Sequence, residues 1–419
     1  MIIRLIWIFA VLAVLQGHAQ EPNSSIEKAS SPLSVAQRDT FHSAILGEKR
    51  EFNIYLPESF HEASEEHTYP VLVLLEDEFF HMVSGVVKHL SSVERMPETI
   101  VVSILDMSYM PTVFTNGSTF WPMEQLSDEN PDPFTRHLKE ELFPYLEANY
   151  RANNFRMVMG LSPTSIYTFH AFVKEPELFD ASIAIAAGDM LSMGYKSDER
   201  FIDLISNEVK KCPVRDRYLY VTSSDSDGET SPEIRENIEE LNKALDACEC
   251  ATFKFIARVF PGEGHYDVAL PALIEALGLI FPRDEWSVRY RDIVNRPGNA
   301  MRNIDDHYRD LSIKYGFRIL PRAERWNSVN RLGWIGPYLL RQGRIAEGVE
   351  VIERWSAYRP KSTAALDELA KGYEAANELE KALAAKMRAY DLSIASGSPQ
   401  AQQYLSELEA LRLKINSQK

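Results

Sequence analysis

The chain has 419 residues, of which 45% are hydrophobic and 25% charged. This composition is typical of a folded globular protein and excludes disordered, collagenous and multi-span membrane chains. The 61 acidic and 45 basic side chains give a net charge of −16, which argues against a nucleic-acid partner, and three cysteines are too few for a disulfide-rich scaffold.

The first 19 residues have the pattern of a secretory signal peptide. Arg4 precedes an apolar run over 5–15, and Gly17 and Ala19 supply the small residues of a cleavage site. The run is shorter than the roughly 20 residues of a membrane-spanning helix. We therefore expect an exported protein, periplasmic or extracellular, without stable membrane insertion, in which the polar residues 20–39 form a flexible lead-in.

Residues 40–283 alternate short apolar runs with amphipathic, helix-like stretches, which predicts a doubly wound α/β domain. An antiparallel opening strand is expected at Arg50–Leu56, where apolar and polar residues alternate. Five nearly continuous apolar runs are typical of parallel strands buried on both faces: Pro70–Leu75, Thr99–Leu105, Phe155–Met159, Ala181–Ala186 and Tyr218–Val221.

Two segments lie at the expected carboxyl edge of this sheet. Asp77 and Glu78 follow the first apolar run, where a backbone donor to an oxyanion would come from, and we expect their charged side chains to be solvated. The segment 107–121 is rich in aromatic residues and methionine. It could line an apolar substrate pocket, with core packing as the alternative.

The strongest chemical signal is the turn GLSPTS, 160–165, between a predicted strand and a predicted helix. This is the setting of a nucleophile elbow, in which a sharp turn holds a serine at the carboxyl edge of a sheet, so Ser162 is the candidate nucleophile. Pro163 departs from that pattern, because proline has no backbone N–H to stabilise an oxyanion and it restricts the preceding residue to extended geometry. The alternative is that Pro163 simply begins a helix at an ordinary turn.

A base and an acid follow the serine in a suitable order. His265 ends the turn PGEGH, 261–265, after the last strand-like run. The acid that orients the imidazole should lie between them, where Asp225, Asp227 and Glu229 share one loop. The remaining histidines lack metal-ligand spacing, so we expect neither a metal site nor a cofactor.

The cysteines precede two neighbouring predicted strands. Cys212 comes before Tyr218–Val221, and Cys248 and Cys250 come before Phe253–Phe260. If these strands are parallel and adjacent, a disulfide from Cys212 to either Cys248 or Cys250 is geometrically feasible, with one thiol left over. Free buried thiols are the alternative.

Residues 284–419 have no strand-like run and show continuous helical periodicity. Over about 327–394 the segment matches itself at an offset of 34, with small residues recurring where paired helices would approach closely and Lys386 as the weakest match. This pattern resembles two tetratricopeptide repeats, and a generic helical bundle is the alternative. Two repeats cannot form a stable free solenoid, so we expect them to dock on the α/β domain or to bind a protein or peptide partner.

Residues 40–283 resemble the α/β-hydrolase family of putative esterases that includes esterase D and the enterobactin esterases. The resemblance rests on ILGEKR followed by YLP, on YPVLVLL, PETIVV and the helix around ELFPY, and on EPELF and the Gly264-His265 turn. It implies an α/β-hydrolase fold with a small-molecule ester substrate. It also implies that Ser162 is the nucleophile, His265 the general base and Asp227 the best-placed acid, with Asp225 and Glu229 as alternatives.

The sequence therefore predicts an exported carboxylic-ester hydrolase that works through an acyl-enzyme. Its α/β-hydrolase domain with a mostly parallel sheet is followed by an all-α, tetratricopeptide-like domain. The usual family elbow is GHSxGG, and the departure at Pro163 predicts a weakened oxyanion hole. The alternative is a catalytically inactive hydrolase fold that acts as a binding or scaffold protein through its helical repeats.

Overall fold

The computed structural model describes residues 34–106, 114–115, 119–120, 132–195, 198–325 and 328–418. The predicted signal peptide lies outside the described residues, as does most of the segment 107–121. Residues 36–419 form one compact unit.

A central sheet of eight strands dominates the first part of this unit. Its strands are β1 (Gln37–Ser43), β2 (Glu48–Tyr55), β3 (Tyr69–Leu74), β4 (Ile100–Ile104), β7 (Ala152–Leu161), β8 (Ala181–Ile185), β9 (Arg217–Ser224) and β10 (Phe253–Phe260). Strands β5 (Phe114–Thr115) and β6 (Thr119–Phe120) pair in a separate two-stranded sheet. The order is β1-β2-β4-β3-β7-β8-β9-β10. The β1–β2 and β2–β4 pairs are antiparallel, and every later pair is parallel.

Both faces of the central strands are covered, which is why they consist of continuous apolar residues. Every residue of β3 and β4 is buried. Leu72 and Leu74 of β3 contribute to one hydrophobic core, while Val71 and Val73 contribute to the core on the opposite face. The doubly wound, mostly parallel sheet predicted from the apolar runs is confirmed.

The sequence analysis missed strand β1. It begins at Gln37 and pairs with β2, so the predicted lead-in 20–39 extends three residues into the sheet. Its sequence QRDTFHS is mostly polar and largely exposed at the sheet edge. Charged residues are common on edge strands, where they discourage pairing with other chains, and they remove the apolar signal on which strand prediction depends.

Helices cover the sheet and then continue to the end of the described chain. Those among the strands are α1 (Phe80–Ser92), α2 (Pro133–His137), α3 (Phe143–Tyr150), α4 (Ser165–Lys174), α5 (Phe201–Val209), α6 (Asp225–Thr230), α7 (Glu233–Asp246) and α8 (Ala269–Ile280). Those that follow are α9 (Arg283–Trp286), α10 (Tyr290–Val294), α11 (Ala300–Tyr315), α12 (Leu332–Arg341), α13 (Ile345–Tyr358), α14 (Thr363–Ala375), α15 (Leu379–Ala395) and α16 (Ala401–Gln418). Within the described ranges, no helix has the length and apolar character required to span a bilayer.

Helices α12–α13 and α14–α15 each form a hairpin of closely packed neighbours. A Cβ at Gly336 would lie 2.4 Å from the Ile352 side chain, and one at Gly348 would lie 2.6 Å from the Leu340 side chain. The small residues therefore stand where the paired helices approach most closely, as their spacing suggested. The assignment of these hairpins to the tetratricopeptide class stays a prediction.

Lys386 on α15, the weakest match of that repeat pattern, is only 2% exposed. Its ammonium group pairs with Asp367 on α14 and, at 2.5 Å, with Glu407 on α16. A lysine occupies a core position here because the two neighbouring helices supply carboxylates, and a buried charge is tolerated when it is paired.

The helices after the sheet share a hydrophobic core with it. Phe155 of β7 lies 5.8 Å from Phe281, 5.7 Å from Tyr315 and 5.6 Å from Phe317, measured between ring centroids. These distances are typical of packed aromatic pairs. The aromatic cluster thus joins the strand that precedes Ser162 to helix α11.

Strands β9 and β10 are parallel neighbours, which brings their preceding cysteines together. Cys212 forms a disulfide with Cys250, and Cys248 is a free thiol. Of the two pairings that the sequence left open, the structure adopts the one with Cys250.

Candidate active site

Strand β7 ends at Leu161, and the chain then turns sharply through Ser162–Thr164 into helix α4. Ser162 has φ of +54°, a left-handed conformation that costs energy for a residue with a side chain. Proline at 163 was expected to restrict Ser162 to extended geometry, and that expectation is wrong. The strained turn is retained because the side chain of Thr164 is anchored on Leu161: its Oγ1 accepts from the backbone N–H at 3.0 Å and donates to the carbonyl at 3.1 Å.

Close packing of strand against helix explains the glycine at 160. A Cβ there would lie 2.6 Å from the carbonyl oxygen of Thr164 and 2.7 Å from the backbone of Ser165, and real Cβ atoms do not approach backbone so closely. Ser165 is fully buried and its hydroxyl donates to the carbonyl of Ile185 at 2.8 Å. Thr164 and Ser165, which replace the usual family glycines, therefore tie the turn to β7 and β8.

The structure brings Ser162, His265 and Asp227 into one hydrogen-bonded line. Nε2 of His265 lies 3.0 Å from Oγ of Ser162, and Nδ1 lies 2.8 Å from Oδ1 of Asp227. The three side chains follow β7, β10 and β9 at the carboxyl edge of the sheet. Distances of this size are those expected of a nucleophile, a base and the group that orients the base.

The other two acidic candidates lie elsewhere. Asp225 accepts a hydrogen bond from the backbone N–H of Gly262 at 2.7 Å, and this bond lowers the pKa of the Asp225 carboxyl. Glu229 is exposed. Asp227 is held towards His265 because its second oxygen accepts from the N–H of Ser224 at 3.2 Å, while its own N–H donates to the Ser224 hydroxyl at 3.1 Å.

The loop after β3 differs in part from expectation. Glu78 is exposed, as predicted, but Asp77 is only partly accessible and accepts hydrogen bonds from Asn53, at 2.7 Å, and from Ser103. The expectation of a solvated Asp77 is wrong because two neighbouring strands, β2 and β4, supply donors to its carboxylate. The preceding Glu76 is half-buried against Thr164, and burial raises the pKa of its carboxyl.

Sequence reasoning also missed two residues beside this line of side chains. Asp189, after β8, interacts electrostatically with both Asp227 and His265. Tyr266 packs its ring against His265, with centroids 4.6 Å apart. Neither residue belongs to a motif; the available signal was position alone, one after a predicted strand and the other next to the predicted base.

No cluster of three or more potential metal ligands occurs among the described residues. Two of the histidines without ligand spacing are buried and partnered: His137 lies 2.8 Å from Glu141, and His170 lies 3.3 Å from Asp132. The arrangement at Ser162 is suited to nucleophilic attack in which a neighbouring base, His265, activates the hydroxyl.

Comparison with known proteins identifies the family and the fold. Residues 43–265 match the family described as "Putative esterase". An IroE-like serine hydrolase from Shewanella oneidensis is 19% identical with a TM-score of 0.56, and the match covers 75% of this chain and 97% of that one. An uncharacterised protein from Capnocytophaga ochracea is 16% identical with a TM-score of 0.52, covering 90% of this chain and 99% of that one. No curated protein matches the chain.

At these identities the structural likeness establishes the fold alone: an α/β-hydrolase sheet followed by a helical region. The family match covers more than half of the chain and includes Ser162, Asp227 and His265. An esterase or hydrolase activity follows from the family. The chain belongs to the putative esterase family.

Proposed function

We propose that this protein is a carboxylic-ester hydrolase in which Ser162 is the nucleophile, His265 the general base and Asp227 the orienting acid. The observation that supports this most directly is the position of His265, which lies within hydrogen-bond distance of Ser162 on one side and of Asp227 on the other. The left-handed Ser162 adds to it, because strain in a short, well-anchored turn is typical of a functional serine.

In this mechanism Nε2 of His265 takes the proton of Ser162 as Oγ attacks the ester carbonyl. The tetrahedral intermediate collapses, the bond to the alkoxy oxygen breaks, and His265 returns the proton to the departing alcohol. A water molecule then gives its proton to His265 and attacks the acyl-enzyme, which releases the acid and restores the serine. Asp227 accepts from Nδ1–H throughout and stabilises the imidazolium.

The oxyanion needs donors other than residue 163, since proline has no N–H. The first N–H groups of a helix have no partner inside it. Short helical turns begin at Asp77 and at Ser162, so the backbone N–H groups of Asp77 and Thr164 are our candidates. Both segments lie at the edge of the sheet that holds the nucleophile.

Export remains part of the proposal. The signal-like residues 1–19 favour it, and so does the Cys212–Cys250 disulfide, because structural disulfides persist mainly in oxidising compartments.

The helical hairpins are proposed to bind a protein or peptide. Pro163 is the observation that favours the rival function, an inactive hydrolase fold used for binding.

Hydrolysis of p-nitrophenyl butyrate by the purified protein tests the proposal. Ser162→Ala should reduce the rate to background without changing the circular dichroism spectrum. Ser92→Ala is the matched control, since this exposed hydroxyl caps the distant end of α1 by donating to His89. A Ser162→Ala rate equal to that of the unaltered protein would refute the proposal and favour the binding protein.

A further inference from the structure

The loop after β8 emerges between the nucleophile and the acid. In the sheet β8 lies between β7 and β9, with Ile185 in register with both Leu161 and Thr222. Ser162 follows Leu161, and Asp227 lies shortly after β9. Residues 186–189, which directly follow β8, therefore lie between Ser162 and Asp227 at the centre of the candidate site.

This loop is held firmly. Ala186 has φ of +53°, and the N–H of Ala187 donates to the carbonyl of Thr222 at 3.0 Å. The N–H of Gly188 donates to Ser223 at 2.8 Å, and its carbonyl accepts from Asn237 at 2.9 Å. A residue with a side chain in this left-handed conformation raises the free energy of the folded state. Such strain is found mostly at functional sites, where the surrounding contacts hold the backbone in one conformation.

The anchored loop ends at Asp189, which lies close enough to Asp227 and His265 to interact with both electrostatically. No salt bridge to the carboxylate of Asp189 occurs within the described residues. Burial raises the pKa of the Asp189 carboxyl, the charge of Asp227 adds to this effect and His265 opposes it. Asp189 is thus a half-buried carboxylate near His265 and Asp227, and in the part of the chain that the structure describes no lysine or arginine forms an ion pair with it.

An aromatic surface adjoins the same histidine. Tyr266 is 60% exposed although its ring contacts His265, and Phe79 lies 6.2 Å from it between centroids. Aromatic faces attract quaternary ammonium groups, and Tyr266 and Asp189 both interact with His265. In the proposed mechanism His265 protonates the departing alcohol, so groups that border His265 face the alcohol part of the ester.

The surrounding charges favour the same kind of ligand. The described loops at this edge, 75–79, 162–165, 186–192, 225–231 and 261–268, contain nine carboxylates and no lysine or arginine. Arg235 of α7 lies beside Gly228 of helix α6, the helix that bears Asp227. In such surroundings a cationic substrate is attracted and an anionic one is repelled.

We propose that the ester substrate has a compact cation, of the quaternary ammonium type, on its alcohol side, bound by the carboxylate of Asp189 and the aromatic faces of Tyr266 and Phe79. This inference rests on the proposed hydrolase function. Asp189 then determines specificity: it lowers the free energy of the cationic substrate at the site without taking part in bond making or breaking.

The test compares acetylcholine with 3,3-dimethylbutyl acetate, a neutral ester of the same shape, by following acetate release. The unaltered protein should prefer acetylcholine in kcat/KM by about tenfold, and Asp189→Asn should reduce that ratio by about fivefold. Asp246→Asn is the control, since it removes an equal charge from an exposed position at the far end of α7 and should leave the ratio unchanged. If Asp189→Asn fails to fold, Tyr266→Ser gives the same reading, because loss of the aromatic face should also lower the ratio.

Two results would overturn the inference, and they are distinguishable. Equal kcat/KM for the two esters, with both rates abolished by Ser162→Ala, would reject the cation site and leave the hydrolase proposal intact. No Ser162-dependent hydrolysis of either these esters or p-nitrophenyl butyrate would reject both proposals together.

Discussion

The carboxylate of Asp225 accepts a hydrogen bond from the backbone N–H of Gly262 at 2.7 Å. This bond ties helix α6, which bears Asp227, to the turn that bears His265. Two residues further on, Asp227 contacts His265 directly. These two acidic residues of helix α6 therefore make different contacts: Asp225 binds the turn, and Asp227 is hydrogen-bonded to the His265 imidazole.

Replacing Asp227 and Asp225 separately should lower kcat by unequal factors. Asp227→Asn removes the charge that stabilises the imidazolium, and in comparable triads such a change lowers kcat by about 10⁴. Asp225→Asn leaves the His265 contact in place, and we expect a loss of about tenfold or less. Steady-state hydrolysis of p-nitrophenyl butyrate measures both. Equal losses would mean that Asp227 is not the catalytic acid.

Pro163 provides a test of the oxyanion hole. Removal of one backbone donor typically costs about 10² to 10³ in rate, so Pro163→Ala, which adds an N–H at that position, should raise kcat by at least about tenfold. KM should change little, because the donor acts mainly on the transition state. An unchanged kcat with an unchanged melting temperature would show that other N–H groups already stabilise the oxyanion fully.

Gly160 should tolerate no side chain. In Gly160→Ala the new Cβ would lie 2.6 to 2.7 Å from the backbone of Thr164 and Ser165, and we expect the free energy of unfolding to fall by about 3 kcal/mol. Gly85→Ala is the control, since Gly85 is exposed within α1 and its added Cβ would meet no atom within 4 Å. That change should raise stability by about 0.5–1 kcal/mol through helix propensity. Urea denaturation of both variants checks the contrast.

The pairing of Lys386 should make stability depend on acid pH. Burial raises the pKa of Asp367 and of Glu407, but their partners outweigh it: Lys371 and Lys386 lower the pKa of Asp367, and Lys386 and Gln403 lower that of Glu407. A carboxyl with a lowered folded-state pKa contributes stability above its ordinary pKa and loses it as the pH falls through the folded-state value. Lys386→Met should therefore cost about 3 kcal/mol at pH 7 and much less at pH 3.

Urea denaturation of the unaltered protein and of Lys386→Met at the two pH values measures this difference. Lys381→Met is the matched control, because Lys381 is exposed on the same helix and, among the described residues, forms a salt bridge only with Glu378 at the start of that helix. An equal cost of Lys386→Met at pH 7 and pH 3 would contradict an ionic role for the buried ammonium.

Much of this architecture was accessible from the sequence because it depends on short-range patterns. Strands such as β3 and β4 are buried on both faces, so they consist of continuous apolar residues and are easily recognised. The order of Ser162, the acidic loop and His265 could also be seen along the chain. Strand β1 could not, because its exposed edge position removes the apolar pattern.

What the sequence left open depends on distances between loops. Asp225, Asp227 and Glu229 are equivalent as sequence letters, and only the fold of helix α6 directs one of them at His265. The position of Asp189 at the candidate site could not be predicted for a similar reason. Its proximity to the site follows from the position of β8 between β7 and β9, which no local pattern encodes.

The aromatic packing of Phe155 has a consequence for how the protein can be divided. Phe155 lies in the strand that ends at Ser162, and its partners Tyr315 and Phe317 come from the helical region. A truncation before residue 284 would remove Tyr315 and Phe317 and would expose the ring of Phe155 to water. Heating the intact chain should accordingly melt the helices and the candidate active site in a single cooperative transition.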